Sequence, residues 1–237
     1  MPSHKVLLVE DDPEIARIIS GYLAGEEFEV IWCHSAQEAM EHPGANFDAV
    51  LLDIMLGDGS GLDVCAQIRA GGDCPIIFVS CLDDPETMVT ALELGGDDYI
   101  VKPFDKRVLA ARLKANLRRV KGLQHAENQR SFRSFEGFSL DISTRTVKTS
   151  SGRTSRITPF EHQLLSFFIN NPNEFFSTSR LYEQIWGKDS CGDTRTVIVL
   201  VHTLRKKIEE DPSKPRYLVN ARGWGYAFRP DDCESNL

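Results

Sequence analysis

Apolar positions fall into two textures along the chain. In the front half they form short unbroken runs at Lys5–Val9, Glu29–Trp32, Phe47–Leu52, Ile76–Val79 and Tyr99–Val101. Between the runs lie segments with three- and four-residue apolar spacing: Pro13–Leu23, Ala36–Glu41, Leu62–Ala70, Glu86–Leu94, and a fifth from Lys106 to about Lys121. Unbroken apolar strands suit a parallel sheet covered on both faces, and the spaced segments suit the helices that cover it. Five strands alternating with five helices predict an α/β fold with a five-stranded doubly wound parallel sheet. Asp12-Pro13 reads as a helix opening, with a cap residue followed by proline at the first helical position.

The pattern weakens over Val120–Ser134, which reads as a linker, and then changes. Strand-like pieces at Phe138–Asp141, Thr146–Thr149 and Arg156–Thr158 precede a helix opened by the capping box Thr158-Pro159-Phe160-Glu161. A second helix is predicted from about Ser177 to Trp186 and a third from Thr194 to Glu209. The chain then forms a hairpin from Tyr217–Ala221 and Trp224–Phe228 around Arg222-Gly223. Helices followed by a hairpin predict a winged helix-turn-helix. The predicted division is a first domain over 1–121, a linker over 122–134, a second domain over 135–230 and a tail over 231–237.

Charge sharpens this division. Residues 1–121 hold 11 basic and 21 acidic side chains, whereas 122–237 hold 16 and 14. Within 194–229 the count is 8 basic to 3 acidic, so the end of the second domain is the candidate for nucleic acid. The six cysteines form no CxxC pair, so they read as inert thiols of a reducing compartment. No run of eighteen apolar residues and no basic-apolar leader is visible, and the expectation is a cytoplasmic protein without membrane contact.

The candidate chemistry lies at strand ends. Val6-Leu7-Leu8-Val9 closes in Glu10-Asp11-Asp12, the third run closes in Asp53, and Tyr99-Ile100-Val101 closes in Lys102. Ligand sites of open parallel sheets form at the carboxyl ends of strands. Clustered carboxylates bind a cation or shift their pKa, and a lysine beside them supplies charge for an arriving anion. These residues read as a magnesium-assisted phosphoryl-acceptor site.

At these residues the chain resembles the OmpR/PhoB family of two-component response regulators. The resemblance rests on Val9-Glu10-Asp11-Asp12, Asp53, Ser80, Gly96-Asp97-Asp98-Tyr99 and Lys102-Pro103-Phe104. In the second half it rests on Leu204-Arg205-Lys206-Lys207-Ile208 and Arg222-Gly223-Trp224-Gly225-Tyr226. It implies a flavodoxin-like receiver in which Asp53 accepts a phosphoryl group from a histidine kinase. Mg²⁺ would be held by Glu10, Asp11, Asp53 and the Met55 carbonyl, while Lys102 and Ser80 would hold phosphoryl oxygens. Ser80 and an inward-turning Tyr99 would form the switch, and Asp12 a helix cap. The protein would be a regulator rather than an enzyme, apart from its own phosphorylation and dephosphorylation.

The resemblance also implies a homodimer through the fourth helix, fifth strand and fifth helix of the receiver. By alignment one cross-dimer ion pair of the family is replaced by Met88 and Val108, with Asp97, Asp98, Arg112 and Arg119 as the remaining charged partners. An apolar Met88–Val108 centre with a charged rim is therefore expected. Gly57 stands where the family has proline, so the Gly57–Gly61 loop is expected to be more flexible. Cys81 is expected to be a small buried residue beside Ser80.

In a winged helix the third helix enters the major groove of promoter DNA and the wing reaches the adjacent backbone or minor groove. Val197, Val201, Leu204 and Ile208 are expected to face the core. Arg195, Thr196, Val199, His202, Thr203, Arg205, Lys206 and Lys207 are the candidate DNA contacts, with Arg222 at the wing tip. Ile198 and Leu200 add apolar surface where the family often carries charge, which also suits another domain or an RNA polymerase subunit. Two rivals stay open. One is a phosphorylation-independent regulator with a constitutively dimeric receiver; the other is a phosphotransfer or phosphatase-like protein whose second domain binds protein.

Overall fold

A computed structural model of the chain describes residues 4–42, 47–125, 132–187 and 194–230. The chain divides into two compact units after Lys121. The first contains β1 (His4–Val9), α1 (Pro13–Ala24), β2 (Phe28–Cys33), α2 (Ala36–Glu41), β3 (Ala49–Leu52), β4 (Met55–Leu56), β5 (Gly59–Ser60), α3 (Gly61–Gly71), β6 (Ile76–Ser80), α4 (Pro85–Glu93) and β7 (Asp98–Val101). It closes with α5 (Lys106–His125).

Five strands form one parallel sheet in the order β2-β1-β3-β6-β7. The chain steps from β1 outward to β2 and then across to β3, so the topological switch lies between β1 and β3. Val6, Leu8, Ala49, Leu51, Ile77 and Val79 point to one face, where Ile19 and Leu23 of α1 and Leu109 and Leu113 of α5 cover them. Leu7, Val9, Val50, Leu52 and Phe78 are buried on the other face. Burial on both faces is why these strands show no polar alternation. The register pairs Val9 with Leu52, and Ser80 with Val101, so the carboxyl ends finish close to level.

After β3 the chain forms a short hairpin, with Met55 paired to Ser60 and Leu56 to Gly59. Asp58 accepts the N–H groups of Ala36 and Gln37 at 2.8 and 3.0 Å, bracing the first turn of α2 from outside the helix. A Cβ on Gly61 would stand 1.9 Å from the Asp53 carbonyl oxygen, so glycine is required for α3 to start against β3.

The second unit begins inside the segment that reads as a linker. Helix α5 continues past Lys121 to His125, and Phe132–Ser134 forms β8. Three residues are too few to show a period, and β8 is a strand only through its pairing with β9 (Phe138–Asp141). With β10 (Thr146–Thr149) and β11 (Thr154–Arg156) they form an antiparallel sheet in the order β11-β10-β9-β8. Then follow α6 (Pro159–Asn170), α7 (Thr178–Trp186), α8 (Arg195–Ile208) and the hairpin β12 (Leu218–Ala221) and β13 (Gly225–Phe228). Thr158 and Glu161 close the capping box of α6 from both sides. Phe160, Leu164, Phe168, Ile185, Trp186, Val197, Leu204 and Phe228 meet in one core, which makes three helices and the hairpin a single body.

Candidate functional site

The strand ends bring Glu10, Asp11, Asp53, Ser80 and Lys102 to one edge of the sheet. Glu10 and Asp53 are buried, Asp11 is exposed, and one carboxylate oxygen from each lies within 4.8 Å of the others. Lys102 Nζ stands 2.6 Å from Glu10 Oε2 and 2.6 Å from Asp53 Oδ2. Asp53 Oδ1 accepts the Met55 N–H at 3.2 Å, while the Asp53 N–H donates to the Val9 carbonyl at 3.0 Å. Burial pushes the Glu10 carboxyl above its ordinary range, against the lowering effect of Lys102. Burial pulls the Lys102 ammonium down, but its bonds to Asp53 and Glu10 outweigh this and raise it. Two partly dehydrated carboxylates sharing one cation form a high-energy arrangement that a second cation would relieve. The donors are all oxygens and carry several negative charges, which fits Mg²⁺ and not a thiol- or imidazole-loving metal.

Asp12 turns away from this cluster and caps α1, accepting from Glu14 N at 2.8 Å and Ile15 N at 3.2 Å, as expected. Ser80 is fully buried, and its Oγ lies against the Tyr99 hydroxyl, a contact that offsets part of the rise burial gives the phenol. Tyr99 lies inward, almost fully buried, and donates its hydroxyl to the Leu82 carbonyl at 2.6 Å. Burial pushes the Tyr99 phenol up to about 12, so it stays a donor at neutral pH. Cys81 corrects the expectation of a buried residue. It is exposed and lines an apolar groove of about 360 Å³ with Ile15, Ile18, Ile19 and Phe104.

Sequence reasoning missed Trp32, whose indole N–H donates to the Glu10 carbonyl at 2.8 Å and braces the acidic loop. The signal available was its place at the end of β2, in register with Leu8.

The expected dimer centre does not exist as a surface. Met88 is 1% exposed and belongs to the receiver core. Asp97, also buried, accepts from Arg69 at 2.7 Å and from the Ile76 N–H at 2.9 Å. Asp98 pairs with Arg112 of the same chain at 3.1 Å, and Arg112 also donates to the Tyr99 carbonyl. A buried charge must be matched nearby, and folding matches these within one protomer. Val108 is half-buried, and the side chain of Arg119 lies outside the described residues.

In the second unit the outward face of α8 carries Arg195, Ile198, His202 and Lys206, all exposed. Thr196, Val199 and Thr203 correct the expected set: all three are buried, and Leu200 joins the core. Helix α8 packs against α6, α7 and β10, so its buried arc is wider than one stripe. Lys207 is held by Glu161 at 2.6 Å and Arg205 donates to the Leu218 carbonyl at 2.8 Å, so both act within the fold. Glu209, 1% exposed, accepts the N–H groups of Arg216, Tyr217 and Leu218 at 2.8–2.9 Å and ties the wing to the end of α8. Arg222 is exposed at the wing tip, as expected.

Residues 6–114 match the response regulator receiver domain, and residues 152–228 match the C-terminal domain of transcriptional regulatory proteins. A probable transcriptional regulatory protein of Picosynechococcus is 38% identical over 233 residues, spanning 94% of this chain and 92% of that protein. The DNA-binding response regulator MtrA of Mycolicibacterium smegmatis is 35% identical over 227 residues, spanning 95% and 97%. A solved RitR mutant, 23% identical, has the same fold over 96% of this chain and all of that one, with a TM-score of 0.73. No described helix is long and apolar enough to cross a membrane. The receiver edge, the winged helix and full-length relatives in the same domain order place this chain in the OmpR/PhoB family of two-component response regulators.

Proposed function

We propose that Asp53 is the phosphoryl acceptor of this regulator and that its modification controls binding of promoter DNA by α8 and the wing. The observation that carries the reading is the Lys102 ammonium, bonded at once to Asp53 and Glu10 within an acidic cluster. A bare surface lysine would be drawn into water; this one is held at the atom that would react. Glu10, Asp11, Asp53 and the Met55 carbonyl would hold Mg²⁺, with water completing the set. The ion, when bound, neutralises charge on the incoming phosphoryl group.

An Asp53 carboxylate oxygen forms the new bond to phosphorus as the donor's phosphorus–nitrogen bond breaks. The electron pair returns to the histidine ring of the kinase, which takes up a proton. Lys102 moves its bonds from carboxylate to a phosphoryl oxygen, and the buried Ser80 hydroxyl donates to another. Phosphorylation adds roughly −1.5 to −2 charges at the sheet edge. Homodimerisation follows as part of this reading, with Met88 excluded from the contact. The reading is of a regulator and not of an enzyme acting on an external substrate, in a cytoplasmic setting where kinase and promoter are both available.

The test uses the full chain with a small-molecule phosphodonor and Mg²⁺. Intact mass should rise by one phosphoryl group in the wild type and not in Asp53→Asn. Sedimentation with and without beryllium fluoride then reads the assembly. Equal phosphorylation of Asp53→Asn would refute the acceptor assignment, and a dimer in both conditions would favour the phosphorylation-independent reading.

A further inference from the structure

Among the exposed large apolar side chains of the described residues, Trp224 is the most exposed, at 71%. It sits at the wing tip directly after Arg222-Gly223. The Trp224 N–H donates to the Ala221 carbonyl at 3.0 Å, closing a turn in which Gly223 has φ 83°. The next residue, Gly225, has φ 97°, and a Cβ there would stand 2.0 Å from the Phe176 carbonyl oxygen. Two glycines in the left-handed region thus flank the indole and allow the tight turn that carries it.

The base of the hairpin is fixed as well. Tyr226 exchanges backbone hydrogen bonds with Phe176 at 2.9 Å in both directions. The Arg205 guanidinium, on α8, binds the Leu218 carbonyl and lies 5.7 Å from the Tyr226 ring centroid. The wing is therefore referenced to the helix whose outer face carries Arg195, Ile198, His202 and Lys206. A hairpin anchored at its base carries a large apolar ring into water, on the same unit as the basic segment.

We propose that Trp224 is a DNA-contacting residue that packs into the minor groove beside Arg222 when α8 occupies the neighbouring major groove. This rests on the DNA-binding reading given above. The indole offers a broad apolar face for sugars and for the edge of a partly opened base step, while Arg222 offers charge to phosphates and the groove floor. Duplex DNA suits the ring better than a protein partner does, because Arg222 beside it is exposed and cationic and the surrounding segment carries a basic excess. Apolar wedges of this kind favour steps that unstack easily, so Trp224 should add preference for TA-containing duplexes over uninterrupted A-tracts.

The experiment uses the full chain with Mg²⁺ and beryllium fluoride, and Trp224 emission is taken as the difference between the wild type and Trp224→Phe, which leaves Trp32 and Trp186 unchanged. Two duplexes of A·T pairs only, one alternating and one an A-tract, are titrated by fluorescence anisotropy. Acrylamide quenching is read free and at saturation. The expected result is protection of Trp224 on binding, and tighter binding to the alternating duplex. Trp224→Ala should weaken binding on the order of tenfold and erase that preference. The slope of affinity against salt should stay unchanged in Trp224→Ala and fall by about one in Arg222→Ala.

Binding with Trp224 equally quenched before and after, or Trp224→Ala with wild-type affinity, would overturn the inference alone. An indole already shielded in the free chain would overturn it in favour of a contact within the protein. A wild-type chain that binds neither duplex with Mg²⁺ and beryllium fluoride present would overturn the DNA-binding reading and this inference with it.

Discussion

The Lys102 ammonium and the Asp53 carboxylate lie 2.6 Å apart, with Glu10 at the same distance from the lysine. The lysine thus occupies charge that a divalent cation would share. Lys102→Met should tighten Mg²⁺ binding on the order of tenfold, because a competing positive charge is gone. It should at the same time abolish phosphoryl acceptance. Isothermal titration with Mg²⁺ and intact mass after phosphodonor treatment separate the two effects. Weaker Mg²⁺ binding in the variant would mean that Lys102 orders the carboxylates rather than competing for them.

Met88 faces inward, so a charge placed there meets the receiver core and not a partner. Met88→Lys should cost about 3 kcal/mol or more of receiver stability, through desolvation of the ammonium and lost packing. Urea unfolding measures this. A variant of wild-type stability that fails only to dimerise would restore the surface reading.

Gly61 touches Asp53 through backbone alone. Gly61→Ala forces its Cβ against the Asp53 carbonyl, and the strand end must shift, costing about 3 kcal/mol. Phosphorylation should slow as well, since the acceptor moves with its backbone. Unfolding and phosphorylation kinetics on the same preparation check both. Unchanged values would show that α3 can slide without disturbing β3.

His162 of α6 is buried, and desolvation, with help from the Arg145 charge, pulls it down to about 4 from an ordinary 6.5. The unfolded chain takes up a proton below pH 6.5 that the fold refuses. Stability is therefore complete above pH 6.5 and is lost as pH falls toward 4. Between pH 6.5 and 5 the loss from this residue is about 2 kcal/mol. Urea unfolding at both pH values should show His162→Gln losing less than the wild type, and parallel losses would refute the assignment.

The strand and helix pattern of the receiver was legible because each element carries its own period. The acidic edge with Lys102 was legible because register and parallel order bring strand ends together whatever lies between them. The capping of α1 by Asp12 and of α6 by Thr158 and Glu161 was legible for the same local reason. Relations set by distant packing were not. Phe132–Ser134 carries no period and becomes a strand only against β9. Val199 and Thr203 lie off the helical stripe, yet the converging neighbours of α8 bury them.

Charge behaves in the same way. Sequence by itself determined which groups are present: Asp97 and Asp98 before the fifth strand, Arg112 on the fifth helix, Lys206 and Lys207 on the eighth. Tertiary structure alone decided their partners, assigning Arg69 to Asp97, Arg112 to Asp98 and Glu161 to Lys207. The physical reason is that local conformation follows from neighbours along the chain. Desolvation instead depends on everything packed around a group, and a buried charge takes the counter-charge that the fold places within reach.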